Sequence, residues 1–125
     1  MNKRLRIAGG RNIAMKVPPH VWDATVRFYR DVIGLRVLEH GPTVPPSVGF
    51  EFGSNQLWVD RVDGLSQAEI WLELSTDDLQ GAASHLKSAG IARRDEIEAL
   101  PEGFEGFWIA NPASIIHLVA KPEQD

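Results

Sequence analysis

The feature that most constrains this chain is an internal repeat. Gly34 and Gly90 lie 56 residues apart, and each ends a helical pattern that itself follows a segment of alternating apolar and polar residues. Alternation is typical of a strand with one covered face, whereas apolar residues at i, i+3, i+4 and i+7 are typical of an amphipathic helix. A period close to half the chain length therefore predicts two copies of one supersecondary unit.

The first copy is predicted to be a β-α-β-β-β module. A strand over Asn12–Val17 precedes a helix over Val21–Gly34, in which the glycine is expected to provide the left-handed C-cap. Three further strand candidates follow, separated by turn-forming residues: Leu35–Glu39, Val48–Phe52 and Gln56–Val62.

The second copy repeats this order. A strand over Glu69–Leu74 precedes a helix that begins after Asp77 or Asp78 and ends at Gly90. Three strand candidates again follow: Ala92–Ala99, Phe104–Ile109 and Ser114–Ala120. We predict one α+β domain over residues 1–125, with modules at about 11–63 and 68–121. A ferredoxin-like β-α-β-β-α-β sheet is the alternative, but it needs two strands between the helices where this sequence offers four.

Composition excludes several classes of protein. The chain has 13 Lys and Arg against 17 Asp and Glu, a net charge of −4, which argues against nucleic-acid binding. It has no cysteine, so disulfides, thiolate nucleophiles and cysteine-type zinc sites are excluded. No apolar run approaches the roughly 20 residues of a membrane span, and no signal peptide is evident. We expect a cytoplasmic protein in which the basic segment Lys3–Arg11 is a solvated leader.

Three segments carry a resemblance to a known family. They are NIAMKVPPHVWDATVRFYRDVIGL (Asn12–Leu35), WLELSTDDLQGAASHLKSAG (Trp71–Gly90) and FWIANPASIIHLV (Phe107–Val119). In order and repetition they resemble the vicinal oxygen chelate superfamily of glyoxalase I, bleomycin-resistance proteins and extradiol dioxygenases. The resemblance implies that both modules form one curved-sheet cup, with the helices on its convex side.

Strand alternation then predicts which side chains face the cup. Ile13, Met15 and Val17 are expected beneath the first helix, and Ile116 and Leu118 beneath the second. The predicted ligand-binding residues, on the opposite faces or beside them, are Asn12, Lys16, Trp58, Asp60, Trp71, Glu73, Trp108 and His117. A slip of one residue in any strand would invert its assignment.

The resemblance also implies four metal-ligand positions, which correspond here to Asn12, Trp71, Trp58 or Asp60, and His117. An indole cannot bind a metal, and a carboxamide is a poor ligand beside an imidazole. We therefore predict a protein without a metal cofactor. The alternative is a divalent ion held by Asp60, Glu73 and His117, with Glu73 and His117 as the catalytic candidates.

The function predicted from these residues is the binding of a small molecule, as in the bleomycin-resistance branch. An aromatic or heterocyclic ligand would lie between Trp58 and Trp71, with Asp60, Glu73 and His117 fixing its polar groups. The alternatives are a divalent-metal-dependent lyase, isomerase or dioxygenase of the glyoxalase type, and a degenerate domain that serves as a dimer scaffold. A homodimer is expected in each case.

Overall fold

The computed structural model describes residues 5–39 and 46–122. Two compact units divide the chain: Arg11–Trp71, here called the N-terminal unit, and Met1–Gly10 with Leu72–Asp125, the C-terminal unit. The elements of the described residues are β1 (Ile7–Gly9), β2 (Asn12–Val17), α1 (Pro19–Arg27), a π-helical segment (Phe28–Ile33), β3 (Ser47–Phe52), β4 (Asn55–Arg61), β5 (Glu69–Thr76), α2 (Leu79–Ser88), β6 (Gly106–Ala110) and β7 (Ile116–Ala120).

The N-terminal unit contains β3, β4, β2 and the first three residues of β5, hydrogen-bonded in that order. β4 runs antiparallel to β3 and parallel to β2, while β5 is antiparallel to β2. The predicted alternation in β2 and β4 is confirmed, because one face of these strands packs beneath the helical region. That core contains Val17, Val26, Phe50, Leu57 and Val59, with Ile13, Met15, Trp22, Tyr29, Leu35 and Val48 packed against it.

The first predicted helix is present, but its last part is π-helical. Pro19 begins α1, where its missing N–H leaves no hydrogen bond unmade. After Arg27 the helix widens, and the Gly34 amide donates to the carbonyl oxygen of Tyr29, five residues earlier, at 3.1 Å. Gly34 has φ +83°, so it provides the predicted left-handed cap.

The C-terminal unit contains β6, β7 and the rest of β5, in that order, with β1 also paired to β5. α2 begins directly after Asp78, one of the two predicted N-caps, whose Oδ1 accepts a hydrogen bond from the Gly81 amide at 2.9 Å. The core of the C-terminal unit comprises Ala82, Phe107, Ile109 and Val119. Packed against it are Leu5, Ile7, Leu74, Leu79, Ala83, Leu86 and Ile91.

Three predicted segments differ from the structure. Residues 35–39 form only an isolated bridge, Val37 to Phe50, and the strand predicted over Ala92–Ala99 is likewise reduced to a bridge at Arg93. Arg93–Asp95 and Arg94–Glu96 side-chain pairs and a turn closed by Ile97 N–H to Arg94 O (3.0 Å) replace that strand. The segment predicted to be a solvated leader contains β1, because Leu5 and Ile7 are apolar and pack on the core.

The α+β class and the repeated order of strand, helix and strands are confirmed. β1 lies in the C-terminal unit, and the first residues of β5 lie in the N-terminal unit. No helix of the described residues is long and apolar enough to cross a membrane.

Candidate ligand-binding site

The polar face of the N-terminal unit is the face of its strands opposite α1. Strand pairing brings alternate residues together there, because partners in adjacent strands point to the same side. Ala14 pairs with Trp58 on one side and with Trp71 on the other, so the two indoles share this face and flank a small residue. Lys16 and Asp60 are paired in the same way.

The Trp58 indole is held on this face by two neighbours. Its Nε1 donates a hydrogen bond to Oδ1 of Asn12 at 2.7 Å. Its ring lies against Gly49 of β3, where an added Cβ would come within 2.6 Å of ring atom Cε3. The absence of a side chain at Gly49 therefore creates the space that the ring occupies, and the Asn12 hydrogen bond fixes its orientation.

A hollow of about 510 Å³ lies beside the Trp58 side chain. Its volume falls within the range of about 300–1,000 Å³ typical of small-molecule sites. Its lining combines apolar, amide and charged groups of both signs: Arg36, Val37, Leu38, Glu39, Gln56 and Trp58. Residues 36–38 reach it because they run beside β3, with Leu38 N–H to Gly49 O at 2.8 Å and Glu51 N–H to Arg36 O at 2.9 Å.

A buried charged cluster lies next to this site on the polar face. Lys16, only 2% exposed, places its Nζ 2.8 Å from Oδ2 of Asp60, and Ser47 donates a short hydrogen bond to the other carboxylate oxygen. The Lys16 ammonium also lies 4.3 Å from the centre of the Trp71 ring. The indole Nε1 of Trp71 donates to Oε2 of Glu69 at 3.1 Å.

This cluster changes how the predicted site residues are interpreted. Lys16 and Asp60 have each other as partners, so their buried charges are compensated without a ligand. Trp71 is only 8% exposed and stacks on Lys16, whereas Trp58 borders the hollow. Trp58 is therefore the predicted indole best placed to meet a ligand.

In the C-terminal unit, Glu73 and Trp108 lie on the strand face opposite α2. Both pair with Leu118 of β7, and their neighbours Leu74 and Phe107 pack on the α2 side. Trp108 is 6% exposed, and its indole Nε1 donates to the Glu98 carbonyl oxygen at 2.9 Å. Its side chain therefore belongs to a packed interior.

The orientation predicted for His117 was wrong by one residue of register. Val119, two residues from His117 and therefore on the same strand face, is fully buried in the α2 core. His117 pairs with Leu72 of β5 and Ile109 of β6, so it shares the face of Val119. Its Nδ1 lies 3.1 Å from the carbonyl oxygen of Ile115.

The same register bears on the alternative metal site. Glu73 pairs with Leu118, next to His117 along β7, so the Glu73 and His117 side chains leave opposite faces of adjacent strands. Two such side chains cannot converge on one ion. Among residues 5–39 and 46–122, no three His, Asp or Glu side chains lie close enough together to hold a metal.

Neither Asp31 nor Glu96, two carboxylates with shifted pKa values, lines the hollow. Hydrogen bonding from Arg30 lowers the pKa of Asp31, and hydrogen bonding from Arg94 lowers that of Glu96. These shifts belong to exposed ion pairs and give no sign of a catalytic acid or base.

The other residues that line the hollow were not among the predicted site residues. Arg36 and Glu39 lie in a segment predicted only as a strand, and Gln56 shares the polar face with Trp58. Alternation along β4 could have indicated Gln56, since it is two residues from Trp58. No local signal predicts that the Trp58 indole packs against Gly49, because that contact is made between strands.

This chain matches known proteins at the level of solved structures. No family model and no curated protein sequence matches this chain. The Mn(II)-bound glyoxalase of Novosphingobium aromaticivorans superposes with a TM-score of 0.65 and 20% identity, over 98% of this chain and 43% of that one. The chain thus spans less than half the length of that glyoxalase.

Two other structures match over nearly their whole length. Methylmalonyl-CoA epimerase of Mycobacterium tuberculosis has a TM-score of 0.62 and 12% identity, over 99% of this chain and 94% of that one. A superfamily member from Vibrio splendidus 12B01 has a TM-score of 0.57 and 11% identity, over 94% and 99%. Likeness at such identities establishes architecture and leaves activity open. The resemblance seen in the sequence is thus confirmed as a fold: the chain has the α+β fold of the glyoxalase/bleomycin resistance protein/dioxygenase superfamily.

Proposed function

We propose that this protein binds a small aromatic or heterocyclic molecule in the hollow beside Trp58, without a metal ion. The observation that carries the proposal is the indole itself, which borders a hollow of about 510 Å³ and is held by Asn12 and Gly49. A planar apolar ring suits stacking on an indole, and such aromatic pairs contribute about 0.5–1.5 kcal/mol beyond the burial of area.

Preorganisation supports an aromatic ligand over a flexible apolar one. Because the Asn12 hydrogen bond and the Gly49 backbone already hold the Trp58 ring, binding need not order that side chain. Ordering a flexible side chain on binding costs about 0.5–1.5 kcal/mol. A rigid planar ligand adds little ordering cost of its own.

The polar lining supports a ligand that carries hydrogen-bonding groups. The Gln56 amide can both donate and accept, and Glu39 can accept or attract a cation. Arg36 Nε lies 3.0 Å from Oε2 of Glu51, so its charge is partly balanced on the protein. A heterocycle with a donor or a positive charge fits this mixture better than an anion does.

The divalent-metal alternative receives less support. Its three proposed ligands include Glu73 and His117, which lie on opposite faces of adjacent strands. A glyoxalase activity like that of the Mn(II)-bound neighbour could arise here only through other residues. We further propose that the protein is cytoplasmic and that it forms a homodimer. Sedimentation at micromolar concentration would test the oligomeric state.

The experiment is a calorimetric titration of the purified protein with benzoate, catechol, quinoline and benzamidinium, in chelator and again with added Mn²⁺. We expect at least one aromatic ligand to bind, and Trp58→Leu to weaken its binding by about tenfold, consistent with lost stacking. Trp22→Phe is the matched control, because Trp22 packs in the core beneath α1 and donates to the Val59 carbonyl oxygen.

Two results would contradict the proposal. The first is a panel with no detectable binding, or binding equally strong in Trp58→Leu. The second is binding that occurs only with Mn²⁺ and is abolished by chelator, which would favour the metal-dependent alternative.

A further inference from the structure

A second hollow lies in the C-terminal unit, beside the end of α2. Its volume is about 490 Å³, and all of its lining comes from α2, the segment after it and β6. The residues that matter for its chemistry are Ala83, Leu86, Lys87, Ile91, Arg93 and Phe107. None of them belongs to the predicted ligand site.

The wall of this hollow is apolar. Phe107 is 4% exposed and belongs to the α2 core, while Leu86 and Ile91 pack against that core and also line the hollow. Their positions are fixed at the helix end, since the Ile91 amide donates to the Leu86 carbonyl oxygen at 2.9 Å. A ligand in the hollow would therefore meet a rigid hydrophobic surface.

A cation is held over the same wall. The Arg93 guanidinium lies 4.5 Å from the centre of the Phe107 ring, and Asp95 Oδ2 lies 2.7 Å from its Nε and from its Nη2. Asp95 is itself anchored, since its Oδ1 accepts from the Trp108 amide at 3.1 Å. The third guanidinium nitrogen still carries two N–H donors for another acceptor.

Lys87 adds a second positive charge to the lining. No carboxylate of the described residues forms an ion pair with it. Lys87, Arg93 and Asp95 together have a formal charge of +1, although the whole chain has −4. A single negative charge on a ligand would balance this local excess.

From this combination we infer that the hollow is a binding site for a small amphipathic monoanion, such as a carboxylate on a short aliphatic chain. The apolar part lies against Leu86, Ile91 and Phe107, and the carboxylate pairs with Arg93 and Lys87. A charge-assisted pairing of this kind is about twice as strong as a neutral hydrogen bond. The site is independent of the Trp58 hollow, because the two share no lining residue.

The probe is octanoate, titrated by calorimetry into the full chain below its micelle concentration, with octylammonium and 1-octanol as matched ligands. We expect octanoate to bind at one site, and octylammonium to bind at least tenfold more weakly. Arg93→Gln and Lys87→Gln should each weaken octanoate binding, by about tenfold for the arginine. Lys121→Gln is the control, since Lys121 pairs with Glu105 and does not line the hollow.

A blocking variant tests the location. Ser84 is exposed on α2 and lines the hollow, so Ser84→Trp should fill it and abolish octanoate binding while leaving the circular-dichroism spectrum unchanged. The inference is overturned if octanoate and octylammonium bind equally, if neither Arg93→Gln nor Lys87→Gln weakens binding, or if Ser84→Trp still binds. Binding to phosphatidylglycerol vesicles without binding to free octanoate would also overturn it.

Discussion

Replacing Lys16 by methionine should destabilise the fold by about 3–5 kcal/mol, the typical result of removing one partner of a buried ion pair. The lysine is 2% exposed, and its ammonium is 2.8 Å from the Asp60 carboxylate and 4.3 Å from the centre of the Trp71 ring. Methionine keeps most of the volume. The loss therefore comes mainly from leaving the Asp60 charge buried beside Ser47 alone.

The double variant Lys16→Met/Asp60→Asn separates this penalty from the loss of packing. With both charges removed, the buried site is neutral and Ser47 can still hydrogen-bond the asparagine oxygen. We expect the double variant to be more stable than Lys16→Met by roughly 2 kcal/mol, because substitution of both members of a buried pair is often nearly neutral. The measurement is the free energy of unfolding from urea denaturation at pH 7.

The reasoning would be refuted by a Lys16→Met variant that loses less than about 1 kcal/mol. It would equally be refuted by a double variant no more stable than the single one. Lys87→Met is the matched control, since Lys87 lies on the exposed side of α2, and a surface change of this kind shifts stability by about 0.5 kcal/mol or less.

Three other predictions concern local structure. Asp78→Ala removes the side-chain cap of α2 and should lower the free energy of unfolding by about 1 kcal/mol, with Asp78→Asn nearly unaffected. Gly90→Ala places a Cβ at φ +81° and should lower it by about 1–2 kcal/mol, whereas Gly9→Ala, where nothing crowds the added Cβ, should not. Arg94→Gln should raise the pKa of Glu96 toward its usual value in an NMR titration. Because that pKa is lowered in the folded state, any stabilisation from Arg94 is present above the ordinary glutamate pKa and is lost as the pH falls through the folded value. An unchanged denaturation midpoint in Asp78→Ala or Gly90→Ala, or an unchanged titration midpoint of Glu96 in Arg94→Gln, would contradict the corresponding explanation.

Features that depend on neighbours along the chain could be predicted correctly. Gly34 and Gly90 end their helices with φ of +83° and +81°, as their place after each helical pattern predicted. β2 and β4 alternate clearly, so the face of Trp58 and Asp60 could be assigned before any pairing was known. The glycine caps follow from local backbone sterics, and the strand faces follow from side-chain periodicity.

Register in the last strand needed the tertiary structure. Ile115 and Ile116, then Leu118 and Val119, place apolar residues on both faces of this segment, so alternation cannot tell which face is covered. The pairing of Val119 with Phe107 and Leu74 shows which face is covered. His117, two residues from Val119, lies on that same face. The side-chain pairs of Arg93 and Arg94 with carboxylates two residues away likewise replace a strand that was predicted from the repeated order of elements.

The two hollows arise from contacts between residues that are distant in the sequence. Gly49 seats the Trp58 ring from a neighbouring strand, and Arg36 reaches the same hollow from a segment about 20 residues away from Gln56. Phe107 and Arg93 meet beside α2 through the pairing of their segments. The sequence determined which residues could form such surfaces, but strand pairing brought them together, because contacts between distant residues leave no periodic signal in the chain.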